Sequence, residues 1–155
     1  MDNLILRIAV PSPLHRSFDY LQPADADPAV LQPGIRLRIP FGRRTVIGVL
    51  LAVGNESEID RQRLKPAQQV LDETPVISRD VMAMVQWASD YYHYPIGDAF
   101  SAALPALLRR GQQPLAAGAS AWRITPAGQA IDTRTLSRAP RQAGVLALLG
   151  AHLQG

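Results

Sequence analysis

The 155-residue chain has no cysteine, which excludes a disulfide scaffold, a thiolate metal site and a cysteine nucleophile within it. Zinc could be held only by His and carboxylate. The three histidines, His15, His93 and His152, show no metal-ligand spacing and read as surface or capping residues. Long apolar runs are also missing: the longest, Val46 to Val53, contains Gly48 and falls far short of the roughly 20 residues a spanning helix needs. Asp2 and Arg7 give the N-terminus the wrong order for a secretory signal, so a soluble cytoplasmic protein with no membrane partner is the expectation. No Gly-x-x-x-x-Gly-Lys-Ser/Thr loop occurs. Lysine is nearly absent, with Lys65 alone beside 15 arginines.

What is present suffices for a core. Hydrophobic residues make up 47% and charged residues 19%, and Gly plus Pro, 24 residues together, fall well below the level of disordered chains. One ordinary domain or two very small ones fit this length, burying roughly two thirds of the unfolded surface. The net charge of +3 is unevenly spread. Residues 1–105 hold ten Lys plus Arg against twelve Asp plus Glu, a balance of −2, whereas residues 106–155 hold six Arg against Asp132, a balance of +5. An anionic partner of the larger part must therefore be met at a local patch.

The pattern predicts five strands followed by two helices. Leu4, Leu6, Ile8 and Val10 alternate with Ile5, Arg7 and Ala9, and Pro11 to Pro13 ends that strand. Ser17 to Leu21 reads as a second. Ile35, Leu37 and Ile39 on one face, with Arg36 and Arg38 on the other, lead through Pro40 to Arg44 into the apolar run from Thr45 to Val53, a hairpin with a basic tip. After a polar loop from Gly54 to Arg63, a weaker strand candidate spans Lys65 to Leu71. Val81, Met84, Val85, Ala88, Tyr91 and Tyr92 fall on one helical face behind Ser78 as N-cap, so Trp87, Tyr91, Tyr92 and Tyr94 read chiefly as core and packing residues, with base stacking the alternative. A shorter helix runs from about Gly97 to Leu104. These elements predict an α+β fold, a small curved sheet or partial β-barrel packed by two helices. Residues 1–110 form the first domain, 111–120 a Gly/Gln/Pro/Ala linker, and 121–155 a partial second domain. That second part is expected to hold a short strand from Ala121 to Ile124, a helix from Thr125 to Ile131 and another opening near Ala139. A tail that short buries little core alone, so the chain is expected to be part of a longer protein.

The succession Arg16-Ser-Phe-Asp-Tyr20, Gly34-Ile-Arg-Leu-Arg-Ile-Pro-Phe-Gly42, Leu64-Lys65, Val70-Leu71-Asp72 and Trp87-Ala-Ser-Asp-Tyr-Tyr-His-Tyr-Pro-Ile-Gly-Asp98 resembles one family, the PriA-type replication restart helicases (primosomal protein N′). The resemblance runs from about Leu4 to Gly111 and continues in a tail similar to the start of that family's winged-helix domain. It implies a DNA-binding domain that recognises the free 3′-hydroxyl end of a nascent strand at a stalled fork, directing and orienting the helicase there. It implies an end-binding pocket of Phe18, Asp19, Gly42 and Lys65. It also implies that the ATP and Mg sites and zinc-binding cysteines lie outside this chain, which is then no enzyme by itself and needs no cofactor. Implied partners are single-stranded and forked DNA, together with single-stranded DNA-binding protein and primosome proteins, and the implied setting is the nucleoid.

The residue types suit such chemistry. A ring at Phe18 can stack on a terminal base for about 1 to 3 kcal/mol. Asp19 can accept a hydrogen bond from a 3′-hydroxyl, worth roughly 1.5 to 3 kcal/mol, and would repel a 3′-phosphate. Gly42 lets backbone approach a ligand, and Lys65 suits a single phosphate contact. Arg36, Arg38, Arg43 and Arg44 are candidate phosphate contacts beside the turn. Two other classes stay open: an enzyme domain binding a nucleotide or small substrate with Asp19 as acid or base, and a structural, protein-docking module with Phe18 buried.

Overall fold

Leu6 and Ile8 lie wholly buried on one face of β1 (Ile5–Ala9), and Ile5 and Ala9 are buried on the other, leaving Arg7 as the strand's exposed residue. Burial on both faces marks a central strand covered from two sides. The computed structural model describes residues 4–114 and 123–151, in units Met1–Pro114 and Leu115–Gly155. In the first unit β2 (Phe18–Leu21), β1, β4 (Arg44–Gly54), β3 (Arg36–Phe41) and β5 (Gln69–Val70) lie in that order, every neighbouring pair antiparallel. The hairpin β3–β4 is the longest pairing, from Arg36 opposite Val49 to Phe41 opposite Arg44.

The two edges of the sheet are tied. The Leu21 amide donates to the Lys65 carbonyl (3.0 Å), and the Ala67 amide donates back to the Leu21 carbonyl (2.9 Å). The segment then crosses to β3, where the Gln68 and Leu71 amides donate to the Arg38 and Arg36 carbonyls. Residues 65–71 thus bridge both edges, and only Gln69–Val70 form a ladder because Pro66 has no amide to give. The sheet curls into a partial barrel around Leu6, Ile8, Tyr20, Leu37, Ile39 and Leu50.

A second core lies on the opposite face, where Ala9 and Val49 meet Ile77, Met82, Val85, Phe100 and Leu104. Helix α1 (Arg79–Tyr91) starts at Ser78, whose hydroxyl accepts from the Val81 amide, and α2 (Ile96–Ala103) stops before Pro105. Gly97 is required there because a Cβ would collide with the Val10 carbonyl, so the first turn of α2 sits directly on the end of β1. A single turn, α3 (Ala106–Arg109), follows.

The helical stripe differs from the expectation. Met82, Val85 and Ser89 face inward, whereas Val81, Met84, Trp87, Tyr91 and Tyr92 are exposed. The reason is geometric: α1 packs chiefly against α2, with the Met82 sulfur beside Gly34, and Ser89 is tolerated inside because its hydroxyl donates to the Tyr94 carbonyl (2.6 Å). The helix ends in a Schellman pattern, with the Tyr94 amide bonded to the Ser89 carbonyl and His93 in the left-handed region (φ +49°) where glycine is usual.

The second unit contains α4 (Pro126–Gln129), capped by the Thr125 hydroxyl, a 3-10 turn (Thr133–Leu136) capped by Asp132, and α5 (Pro140–Ala151). The strand anticipated at Ala121 to Ile124 falls partly on residues 121–122, outside the described residues, and Arg123 and Ile124 are not in a strand. Most of the anticipated linker, residues 115–120, likewise lies outside the described residues.

Candidate nucleic-acid interface

Strand alternation sends Phe18 and Tyr20 to the barrel side of β2 and Asp19 to the other. The Phe18 ring stands edge-on to Phe41 at 5.2 Å, and the Arg16 guanidinium lies 4.9 Å over its centroid. Phe41 immediately precedes Gly42, and the Tyr20 hydroxyl donates to the Pro40 carbonyl (3.0 Å). Two side chains of β2 therefore brace the β3–β4 turn. Gly42 is exposed with φ +59° and open space where a Cβ would stand. Its role in the turn is conformational rather than a relief of crowding.

Asp19 faces Arg7, its cross-strand partner. The Arg7 Nε donates to Oδ1 (3.1 Å), Nη2 donates to Oδ2 (3.4 Å), and the Ser57 hydroxyl donates to Oδ2 (2.7 Å). A carboxylate offers about four acceptor positions, so three are engaged and one, on Oδ1, is left for a further donor. The hydrogen bond and charge of Asp19, with a contribution from Glu58, hold the Arg7 guanidinium above its usual pKa. Asp19 and Arg7 line a shallow recess of about 380 Å³ together with Gly54, Asn55 and Glu56. Two carboxylates in one recess disfavour an approaching phosphate. Neither Arg7 nor Ser57 was singled out from sequence. The available signal was Arg7 itself, a charge in the middle of an apolar strand opposite an acidic one.

Lys65 is exposed, and its backbone is fastened to Leu21, two residues beyond Asp19. Strand β2 is thus the hub of the four candidate residues. Phe18 leans on the Gly42 turn, Lys65 adjoins the C-terminal end of β2, and Asp19 leaves from its reverse face.

Of the four candidate arginines, Arg43 and Arg44 are exposed at the hairpin tip, and Arg38 is half-buried with its Nε near the Gln69 amide oxygen (3.3 Å). Arg36 corrects the expectation of an exposed strand face. Its side chain is fully buried, bonded through Nε and Nη2 to both Asp72 carboxylate oxygens (2.9 and 2.6 Å) and through Nη1 to the Leu108 and Gln112 carbonyls. The residues around α3 cover this end of β3, which a two-residue period cannot foretell. Arg36 is consequently out of reach of a phosphate.

The exposed aromatics are the second correction. Trp87 stacks on Tyr91 (5.1 Å, 20°), and Tyr91 meets Tyr92 edge-on (4.9 Å), with Trp87 59% and Tyr92 68% exposed. They are surface residues, not core. Among the described residues, no cluster of three His, Asp or Glu is placed to hold a metal, and no helix is long and apolar enough to cross a membrane.

Residues 7–105 match the family described as the 3′DNA-binding domain (3′BD) of PriA. The chain is 34% identical to the replication restart protein PriA of Haemophilus influenzae over 146 residues, covering 94% of this chain and 20% of that protein. It is 27% identical to the PriA of Buchnera aphidicola (subsp. Acyrthosiphon pisum) over the same shares. With the PriA of Bacillus subtilis it shares 33% identity over 96 residues, 62% of this chain and 12% of that protein. The chain spans about one fifth of the length of the first two relatives.

Proposed function

Because this chain belongs to the PriA 3′DNA-binding domain family, we propose that it receives the free 3′-hydroxyl end of a nascent DNA strand at β2 and the β3–β4 turn. The observation that carries this reading is the Asp19 carboxylate, oriented by Arg7 and Ser57 with one acceptor position left on Oδ1. A 3′-hydroxyl donates to that position. A 3′-phosphate offers no such donor and meets the negative charge of Asp19 and Glu56. On the opposite face of β2, Phe18 offers a ring on which a base can stack in the place Arg16 now takes, beside the Gly42 turn, and Lys65 is exposed to meet a phosphate. Arg38, Arg43 and Arg44 follow the strand away from its end.

In the longer protein the domain directs the helicase to stalled forks and sets its orientation. The basic second unit, four arginines against Asp132, is the start of a winged-helix domain that adds duplex contacts. ATP, Mg and zinc chemistry, and contacts with single-stranded DNA-binding protein and primosome proteins, belong to the longer protein, working at the nucleoid in the cytoplasm.

The test is fluorescence anisotropy with short single strands ending in a 3′-hydroxyl or a 3′-phosphate. The expected result is a preference for the hydroxyl of about tenfold or more that persists as salt is raised, the equivalent of one charge-assisted hydrogen bond. Equal affinity for both ends would overturn the reading.

A further inference from the structure

On the sheet face that carries α1 and α2, the β3–β4 end is left partly open, and α2 and α3 border a groove there of about 460 Å³. Three guanidiniums line it: Arg38 from β3, Arg109 from α3, and Arg110 from the residue that caps α3. No Asp or Glu does. The chain reverses at Gly111 (φ +77°), where a Cβ would stand 3.2 Å from the Arg38 Nη2, and this reversal draws the two later arginines onto the first.

The other arginines braced by the fold behave differently. Arg7 and Arg36 each answer a carboxylate, whereas among the described residues none of Arg38, Arg109 and Arg110 forms an ion pair with an acidic group. Residues 1–114 are balanced overall, with twelve cationic and twelve anionic side chains, so three cations free of carboxylates in one groove are a local concentration and not a general basicity. Thr45 and Ser101 add hydroxyl donors, and Phe100 contributes to an apolar wall. Thr45 is three residues beyond Gly42, so the groove begins at the foot of the turn.

We propose that this groove binds the phosphodiester backbone of the DNA whose 3′ end the domain receives, as a second, sequence-independent contact. Guanidinium forks match paired phosphate oxygens, and hydroxyls complete the shell. An apolar wall suits the deoxyribose between phosphates. The proposal rests on the reading of this chain as a binder of DNA ends, and its test separates the two. An acidic peptide carries the same sign of charge, but membership of a DNA-binding family favours the nucleic acid.

The experiment compares the 155-residue chain with its Arg109→Ala/Arg110→Ala variant on hydroxyl-ended and phosphate-ended single strands across a salt series. Both side chains are exposed, so folding is retained, and thermal melting checks this. The slope of log affinity against log salt should become shallower by about 0.7 per arginine for both ends, with affinity on the order of 25-fold weaker at about 0.1 M salt and the hydroxyl preference unchanged. Arg109→Lys/Arg110→Lys should restore most of the slope. An unchanged slope in the alanine variant overturns the proposal. So does a groove-dependent affinity for a polyglutamate peptide without any change in DNA binding. If the slope falls but neither protein distinguishes the two ends, the groove stands and the end-recognition reading fails.

Discussion

Asp19 is held by a half-exposed arginine and by a serine hydroxyl, and these partners decide what its replacement does. Asp19→Asn keeps the shape and removes the charge. Because exposed ion pairs contribute about 0 to 1 kcal/mol, the urea midpoint should move little, while discrimination between hydroxyl and phosphate ends should fall by about tenfold or more in anisotropy. Tyr20 makes a different prediction. Burial raises its phenol above the ordinary value of 10.0. The folded state therefore favours the neutral ring, and that stability is fully present below pH 10.0 and is lost as pH rises through the raised value. Tyr20→Phe should flatten the alkaline limb of the stability profile while costing about 1 kcal/mol near neutrality, since the bond to the Pro40 carbonyl is gone. Denaturant midpoints across pH for both proteins check this.

At the level of elements, α1 closes on a histidine where glycine is usual. His93→Gly removes the strain of a side chain in the left-handed region and should raise stability by about 0.5 to 1 kcal/mol, read as a higher melting temperature. Arg36 ties β3 to the residues around α3, and Arg36→Met leaves the buried Asp72 carboxylate without its guanidinium, holding only the backbone amide of residue 36. A loss of about 3 to 5 kcal/mol in chemical denaturation is expected, recovered only in part by Arg36→Met/Asp72→Leu, because the buried amide of residue 36 then loses its acceptor. The strands and the β3–β4 hairpin were legible from alternation and turn residues, and Ser78 marked the start of α1 correctly. The inward face of α1 was not legible. Apolar residues fall on two overlapping stripes, and only the packing of α1 against α2 selects Met82, Val85 and Ser89. Arg36 misled for a related reason: alternation says that two residues share a face, but not which helix will later cover one of them. Phe18, Asp19, Gly42 and Lys65 enter as a set only as what the family resemblance implies, whereas the Arg7 and Ser57 that orient Asp19 emerge only once β1 and the loop after β4 are brought beside β2.

For the whole molecule, the division at Pro114 leaves all four candidate residues and all three groove arginines in the first unit. A chain of residues 1–114 should therefore unfold cooperatively and keep the same ratio of hydroxyl to phosphate affinity as the full 155 residues, losing only salt-sensitive affinity contributed by the basic second unit. Equilibrium titrations of both lengths check this. The tie between Leu21 and residues 65–67 has one more consequence. Few backbone bonds hold that seam, so it can part locally without the sheet unfolding, and its amides should exchange with solvent deuterium sooner than those of β1 and β4. A strand end gripped by Phe18 on one side of the seam and Lys65 on the other would pin it shut, turning the Leu21 and Ala67 amides into a built-in reporter of occupancy that slows in proportion to bound DNA.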